Sequence, residues 1–163
     1  MEFVWIEPGE FLMNAGGSGR WDDEKSDTLV RISRGFWLGK YEVTQSEWLS
    51  VMGTNPSDHA GCGRCPVERV SWDEAQEFIR RINAREDGAP YRLPTRREWE
   101  YAARAGMTWD DYATNLDSIA WHGRNSERTH PVGDKTPNGW GLHDMVGKWR
   151  SGWEMRKAIP RTK

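Results

Sequence analysis

Tryptophan can replace the aliphatic burial that this chain lacks. Leu, Ile, Val and Phe together supply 25 of the 163 residues, about 15%, a fraction at which a chain ordinarily lacks the apolar surface to hold itself together. Eleven tryptophans change that balance, because one aromatic side chain buries roughly 150–250 Å². The net charge of −2 adds little self-repulsion. An ordered, aromatic-rich domain is therefore expected, and the length suits one domain around a single core. With 17 glycines and 8 prolines, it should contain many turns and long connections.

Three segments share a helix-start signature. Thr44-Gln-Ser-Glu47, Ser71-Trp-Asp-Glu74 and Thr95-Arg-Arg-Glu98 each place a hydroxyl three residues before a glutamate, the capping box that satisfies the orphan amides of a first turn. After Ser71, the residues Ala75, Phe78, Ile79 and Ile82 form one apolar helix face that should end near Asp87-Gly88. Trp99, Ala102 and Ala103 repeat the spacing up to Gly106, and a shorter helix carries Trp48, Val51 and Met52 up to Gly53. Strands are expected at Phe3–Ile6, Glu10–Met13, Leu29–Ile32, Phe36–Tyr41 and Trp140–Leu142. Residues 105–139 show little periodicity, and loops that long are uncommon unless functional or pinned by ions and aromatic side chains. The fold class is α+β with much irregular structure.

No apolar stretch reaches the roughly 18 residues of a membrane span, and the N-terminus lacks the basic and apolar regions of a signal peptide. A soluble, cytoplasmic protein is expected. There is no fixed-period repeat and no low-complexity tract.

Candidate sites are few. Cys62-Gly-Arg-Cys65 is the only cysteine pair. A loop staple or free thiols is the leading reading, with half a metal site or a redox dithiol as alternatives, since no second CxxC or paired His motif completes four ligands. His59, His122, His130 and His143 show no HxH or HExxH spacing and read as surface or packing residues. Arg92, Glu98, Glu100 and Arg104 form a charged cluster at a helix start. Glu100 and Arg104 are i, i+4 partners, worth about 0.2–0.5 kcal/mol on an exposed face.

Five motifs occur in order. They are Trp5-Ile6-Glu7-Pro8-Gly9-Glu10-Phe11-Leu12-Met13, Phe36-Trp37-Leu38-Gly39-Lys40-Tyr41-Glu42-Val43-Thr44-Gln45, Pro66-Val67-Glu68-Arg69-Val70-Ser71-Trp72, Tyr91-Arg92-Leu93-Pro94-Thr95 with Glu98-Trp99-Glu100-Tyr101-Ala102-Ala103-Arg104, and Pro137-Asn138-Gly139-Trp140-Gly141-Leu142-His143-Asp144-Met145. Together they resemble the formylglycine-generating enzyme family, the sulfatase-modifying factors. The resemblance implies a C-type-lectin-like fold and, in several members, structural calcium. Authentic members oxidise a sulfatase cysteine using copper, oxygen and a C-terminal cysteine pair. No cysteine of this chain occupies that region, and cysteine pairs like Cys62/Cys65 look structural in relatives. By the same resemblance Asp144 and Gly147 mark a degenerate calcium site, short of the glutamate that would complete it; calcium requires about six to eight oxygens. No catalytic or cofactor-binding residue is assigned, and copper is expected only for an intact family enzyme. Because fold kinship covers several functions, three readings stand: a domain of this family without oxidase activity, a lectin-fold binding or accessory module recognising a protein or peptide ligand, and a minimal enzyme using Cys62 and Cys65 with copper.

The family pattern breaks after Gly147. Of the 23 basic and 25 acidic residues, six basic and one acidic fall in 148–163 (a net of +5), leaving 17 and 24 (a net of −7) in 1–147. Written with the codons AAA-TGG-CGG-AGT-GGG-TGG-GAG-ATG-CGG, Lys148 to Arg156 read from the third base gives Met-Ala-Glu-Trp-Val-Gly-Asp-Ala. With one Asn codon restored, the family's Gly-Asn-x-x-Glu-Trp-x-x-Asp pattern returns. The expectation is a family domain over 1–147, incomplete at its C-terminus, followed by an out-of-frame tail over 148–163. Out-of-frame sequence accounts for the basic charge and the motif break together, so no nucleic-acid partner and no membrane partner is expected.

Overall fold

In the computed structural model, residues 1–13, 28–85, 90–107, 109–146 and 159–160 are described. Strand β1 (Phe3–Ile6) pairs antiparallel with β4 (Phe36–Gly39), setting Phe3 opposite Gly39 and Ile6 opposite Phe36. Strand β2 (Gly9–Met13) pairs with β3 (Thr28–Ile32), setting Gly9 opposite Ile32 and Met13 opposite Thr28. Between the two ladders Glu7 and Pro8 face Ser33, Arg34 and Gly35, so the register slips by one residue. Pro8 has no N–H to give a ladder, and a Cβ on Gly35 would lie 2.3 Å from the Trp5 ring. The slip turns Val4, Ile6, Phe36 and Leu38, and then Phe11, Val30 and Ile32, toward one apolar core with Ala102, Ala103, Leu142 and Met145. Trp5 and Trp37 cross edge to face at 5.4 Å on the outer surface, and Leu12 and Leu29 stand opposite each other across β2 and β3, both exposed.

The capping boxes form as their sequence requires. In α1 (Gln45–Met52), Thr44 accepts from the Glu47 amide and Glu47 accepts from the Thr44 amide; Gly53 ends the helix at φ 81°. Helix α2 (Trp72–Arg85) opens on the equivalent exchange between Ser71 and Glu74 and buries Ala75, Phe78, Ile79 and Ile82, the anticipated face. Arg85 donates to the carbonyls of Ser50 and Val51, and Arg81 to that of Met52, so α2 satisfies the orphan C-terminal acceptors of α1. The helices enclose a second core of Val43, Trp48, Val67, Val70 and the α2 face. Short strand β5 (Tyr91–Arg92) leads into α3 (Arg96–Arg104), capped by Thr95 and Glu98. The expected end of α2 near Asp87-Gly88 lies outside the described residues.

Three expectations need correction. Strand β4 stops at Gly39 rather than Tyr41, and the Lys40 carbonyl instead accepts the His143 amide at 3.1 Å. Trp140–Leu142 is a turn: the Asn138 side chain accepts the amides of Trp140 and Leu142 and donates to the carbonyls of Ala102 and Ala103 at the end of α3. One amide side chain thus serves two elements, where a strand would have needed a partner ladder. Within the aperiodic stretch 105–139 the backbone forms a helix, α4 (Trp109–Ile119); the spacing of Trp109, Tyr112, Leu116 and Ile119 was the signal for it. Strand β6 (Ile159–Pro160) pairs with β5, Arg92 opposite Ile159, and lies beside β4. The rest of the basic segment 148–163 lies outside the described residues. Among the described residues no helix is long and apolar enough to cross a membrane.

Candidate functional site

Cys62 and Cys65 are joined in a disulfide with their Cα atoms 5.2 Å apart, which sets aside free thiols and a thiolate metal half-site for the pair in this structure. The Cys65 amide donates to the Cys62 carbonyl at 3.0 Å, closing a turn that docks on the start of α1. There the amides of Gln45 and Ser46, orphans of the first helical turn, donate to the carbonyls of Cys65 (2.9 Å) and Gly63 (3.0 Å). A Cβ at Gly63 would sit 2.4 Å from Ser46 Oγ, so any larger residue there requires the Ser46 hydroxyl to turn away. Buried Gln45 donates to the His59 carbonyl at 3.1 Å and accepts from Asn55 at 3.0 Å. The Arg64 carbonyl accepts the amide of Val132 at 3.0 Å, so the turn also anchors the segment after α4.

That segment is pinned by aromatic contacts, one of the two conditions under which a loop of its length is expected in a folded domain. The His130 ring stacks on Trp121 at 3.8 Å and shares a 2.6 Å hydrogen bond with Ser126 Oγ. Lys135 Nζ lies 3.9 Å over the Trp121 ring and donates to the Asp117 carbonyl at 2.6 Å. His122 Nε2 donates to Asp117 Oδ1 at 2.7 Å, and His143 Nδ1 donates to the Lys135 carbonyl at 2.9 Å while its ring packs on Tyr41. The His59 amide meets Glu68. All four histidines thus sit in local packing or loop contacts. Asp117, Trp121, Ser126 and Lys135 were not singled out by sequence, because their partners come from four to 18 residues away with no repeating spacing among them.

The charged cluster divides in two. Arg92 donates twice to Glu98, at 2.8 and 2.6 Å, and Glu98 also takes the Thr95 amide at 2.8 Å. Burial pushes the Glu98 carboxyl up, but Arg92 and Thr95 outweigh it and hold the group below the usual glutamate range. Glu100 and Arg104 form the other pair at 2.7 Å. Contrary to the surface reading, both are buried, at 7% and 9% exposure, and the Arg104 guanidinium lies 5.6 Å over the Phe11 ring.

The metals implied by the family resemblance find little to hold them. Asp144 adopts φ 54° and its Oδ2 accepts the Gly133 amide at 3.0 Å, while Gly147 lies outside the described residues. Among the described residues no group of three or more His, Cys, Asp or Glu side chains can hold a metal ion. Of the expected calcium ligands only Asp144 is among the described residues, one carboxylate toward the about six to eight oxygens that calcium requires. Copper held by thiolates does not fit this chain as it stands, because its two cysteines are bonded to each other.

The family model described as the sulfatase-modifying factor enzyme 1-like domain matches residues 1–157, running past Gly147. A protein named Chaperone protein LppX from Paenibacillus barcinonensis is 33% identical over 216 aligned residues, covering 98% of this chain and 74% of that protein. The formylglycine-generating enzyme of Streptomyces coelicolor is 34% identical over 133 residues, which are 65% of this chain and 40% of that enzyme. Among solved structures, Treponema denticola variable protein 1 superposes with a TM-score of 0.74 at 25% identity, covering 93% of this chain and 74% of that one. The architecture is the C-type-lectin-like fold in its formylglycine-generating-enzyme form, with modest regular secondary structure. The chain belongs to the sulfatase-modifying factor (formylglycine-generating enzyme) family.

Proposed function

We propose that this chain is a formylglycine-generating-enzyme-like domain that does not itself carry out the copper-dependent oxidation. One observation carries the reading: the two cysteines of the sequence form one disulfide in a turn whose carbonyls hold the start of α1, leaving no thiolate pair to bind copper. The alignment with the Streptomyces enzyme, over 40% of its length, is consistent with this. The minimal-enzyme reading would require that turn to open. A sulfatase-motif cysteine peptide incubated with the purified chain, copper and oxygen is expected to keep its mass. Conversion to the aldehyde, abolished by Cys62→Ser or Cys65→Ser, would overturn the proposal.

A second reading, an accessory module that recognises a protein or peptide, is favoured by the extent of the LppX match, which spans nearly all of this chain while the enzyme match spans two thirds of it. Neither nucleic acid nor a membrane has a part in either reading. A cytoplasmic location is carried over from the sequence with one observation against it, since disulfides persist mainly in oxidising compartments.

The proposal also keeps 1–147 as the family domain and 148–163 as out-of-frame. The gene should carry AAA, CGG and AGT at codons 148, 150 and 151, and one frame over it should encode Glu-Trp at the family position and stay open past codon 163. Sequencing the coding DNA decides this: other codons there, or an immediate stop in the alternate frame, would return the basic tail to consideration as a selected element and raise the accessory-module reading.

A further inference from the structure

We infer that Cys62–Cys65 is a thiol–disulfide exchange site whose opening by a dithiol releases the segment around Val132 from the start of α1. This goes beyond the proposed function and holds whichever of its two readings is correct. A disulfide's effect through chain entropy grows with the logarithm of the loop it closes, and this one encloses only Gly63 and Arg64. Its consequence is therefore local: it fixes the directions of three carbonyls, of Gly63, Arg64 and Cys65. Those carbonyls accept from Ser46, Val132 and Gln45, and Val132 is buried, so one covalent bond orders both the first turn of α1 and the anchor of the Trp121–Lys135 segment.

The two sulfurs are not equivalent. Cys62 is half-exposed, whereas Cys65 is buried and its carbonyl takes the first amide of α1. An incoming thiolate reaches Cys62, forms a mixed disulfide there and expels the Cys65 thiolate. That anion takes up a proton as Cys65 is freed, with Arg64 as its sequence neighbour and the first amide of α1 on its own carbonyl. The second thiol of the dithiol then attacks its own sulfur in the mixed disulfide and frees Cys62. Two electrons and two protons pass to the protein, and the reagent leaves as its cyclic disulfide.

The test uses the full chain with dithiothreitol under native conditions, alkylation mass spectrometry to count free thiols, and amide hydrogen exchange to follow the anchor. The expected result is two alkylated cysteines and exchange about tenfold faster at Val132, Gln45 and Ser46. Exchange in the α2 interior should be unchanged, and reoxidation should reverse the effect. A Cys62→Ser, Cys65→Ser double variant should reproduce the reduced pattern; if it does not fold, reduction and reoxidation of the unaltered chain still decide. Unaltered exchange at Val132 with both cysteines alkylated would overturn the inference. So would a disulfide that yields only after denaturation, or loss of protection throughout the chain.

Discussion

Glu100→Ala is expected to destabilise the domain by about 3–5 kcal/mol, the cost of breaking a buried ion pair by removing one of its members. Arg104 would remain 9% exposed against the Phe11 ring, its carboxylate acceptor at 2.7 Å gone. Domains of this size have only about 5–15 kcal/mol in total, so the change should remove a large share of the stability, read as a shift in the guanidinium midpoint followed by far-UV circular dichroism. The pair's net worth is a separate quantity. Exchanging both residues for apolar ones of similar volume, Glu100→Leu with Arg104→Met, is expected to cost far less than Glu100→Ala alone, since both buried charges are then removed. A Glu100→Ala loss under about 0.5 kcal/mol, the scale of an exposed i, i+4 pair, would mean that α3 does not bury this face.

That pair marks the boundary of what the sequence could disclose. The spacing of Glu100 and Arg104 on one helix is legible, because capping at Thr95 and Glu98 sets the helix phase. Their burial is not, since it depends on Phe11 from β2 and on the turn at Asn138, 38 residues further along. The same division runs through the molecule. Local signals placed all three capping boxes, the α2 face and four strands to within a residue or two, because each carries its own cap, apolar period or bounding turn residues in the sequence. Elements defined by distant partners escaped: β5 exists through β6, and the turn at Trp140 through one asparagine that donates to α3. For the candidate site, the CxxC spacing put a loop staple or free thiols first and left a metal half-site or a redox dithiol open. What the fold adds is the docking of that turn on α1 and on Val132.

Trp48→Ala is the second large effect, expected at about 3–5 kcal/mol for truncating a fully buried aromatic. Trp48 is 1% exposed, and its ring lies parallel to that of Phe78 with centroids 5.0 Å apart. The stack joins α1 to α2 in the second core, among Val43, Val67, Val70, Ala75, Ile79 and Ile82. Its indole N–H is buried and finds no acceptor among the described residues, and an unmet donor of that kind costs roughly 1–3 kcal/mol. Trp48→Phe should therefore lose less than the reduction in ring size implies, because it keeps an aromatic partner for Phe78 and discards the unmet N–H. Trp72→Ala supplies the contrast: that tryptophan is 52% exposed at the first position of α2, and its loss should change stability by no more than about 0.5 kcal/mol. Chemical unfolding of the three variants side by side tests the claim with which a chain poor in aliphatic residues begins, that tryptophan burial holds this fold together. Equal losses at positions 48 and 72 would refute it.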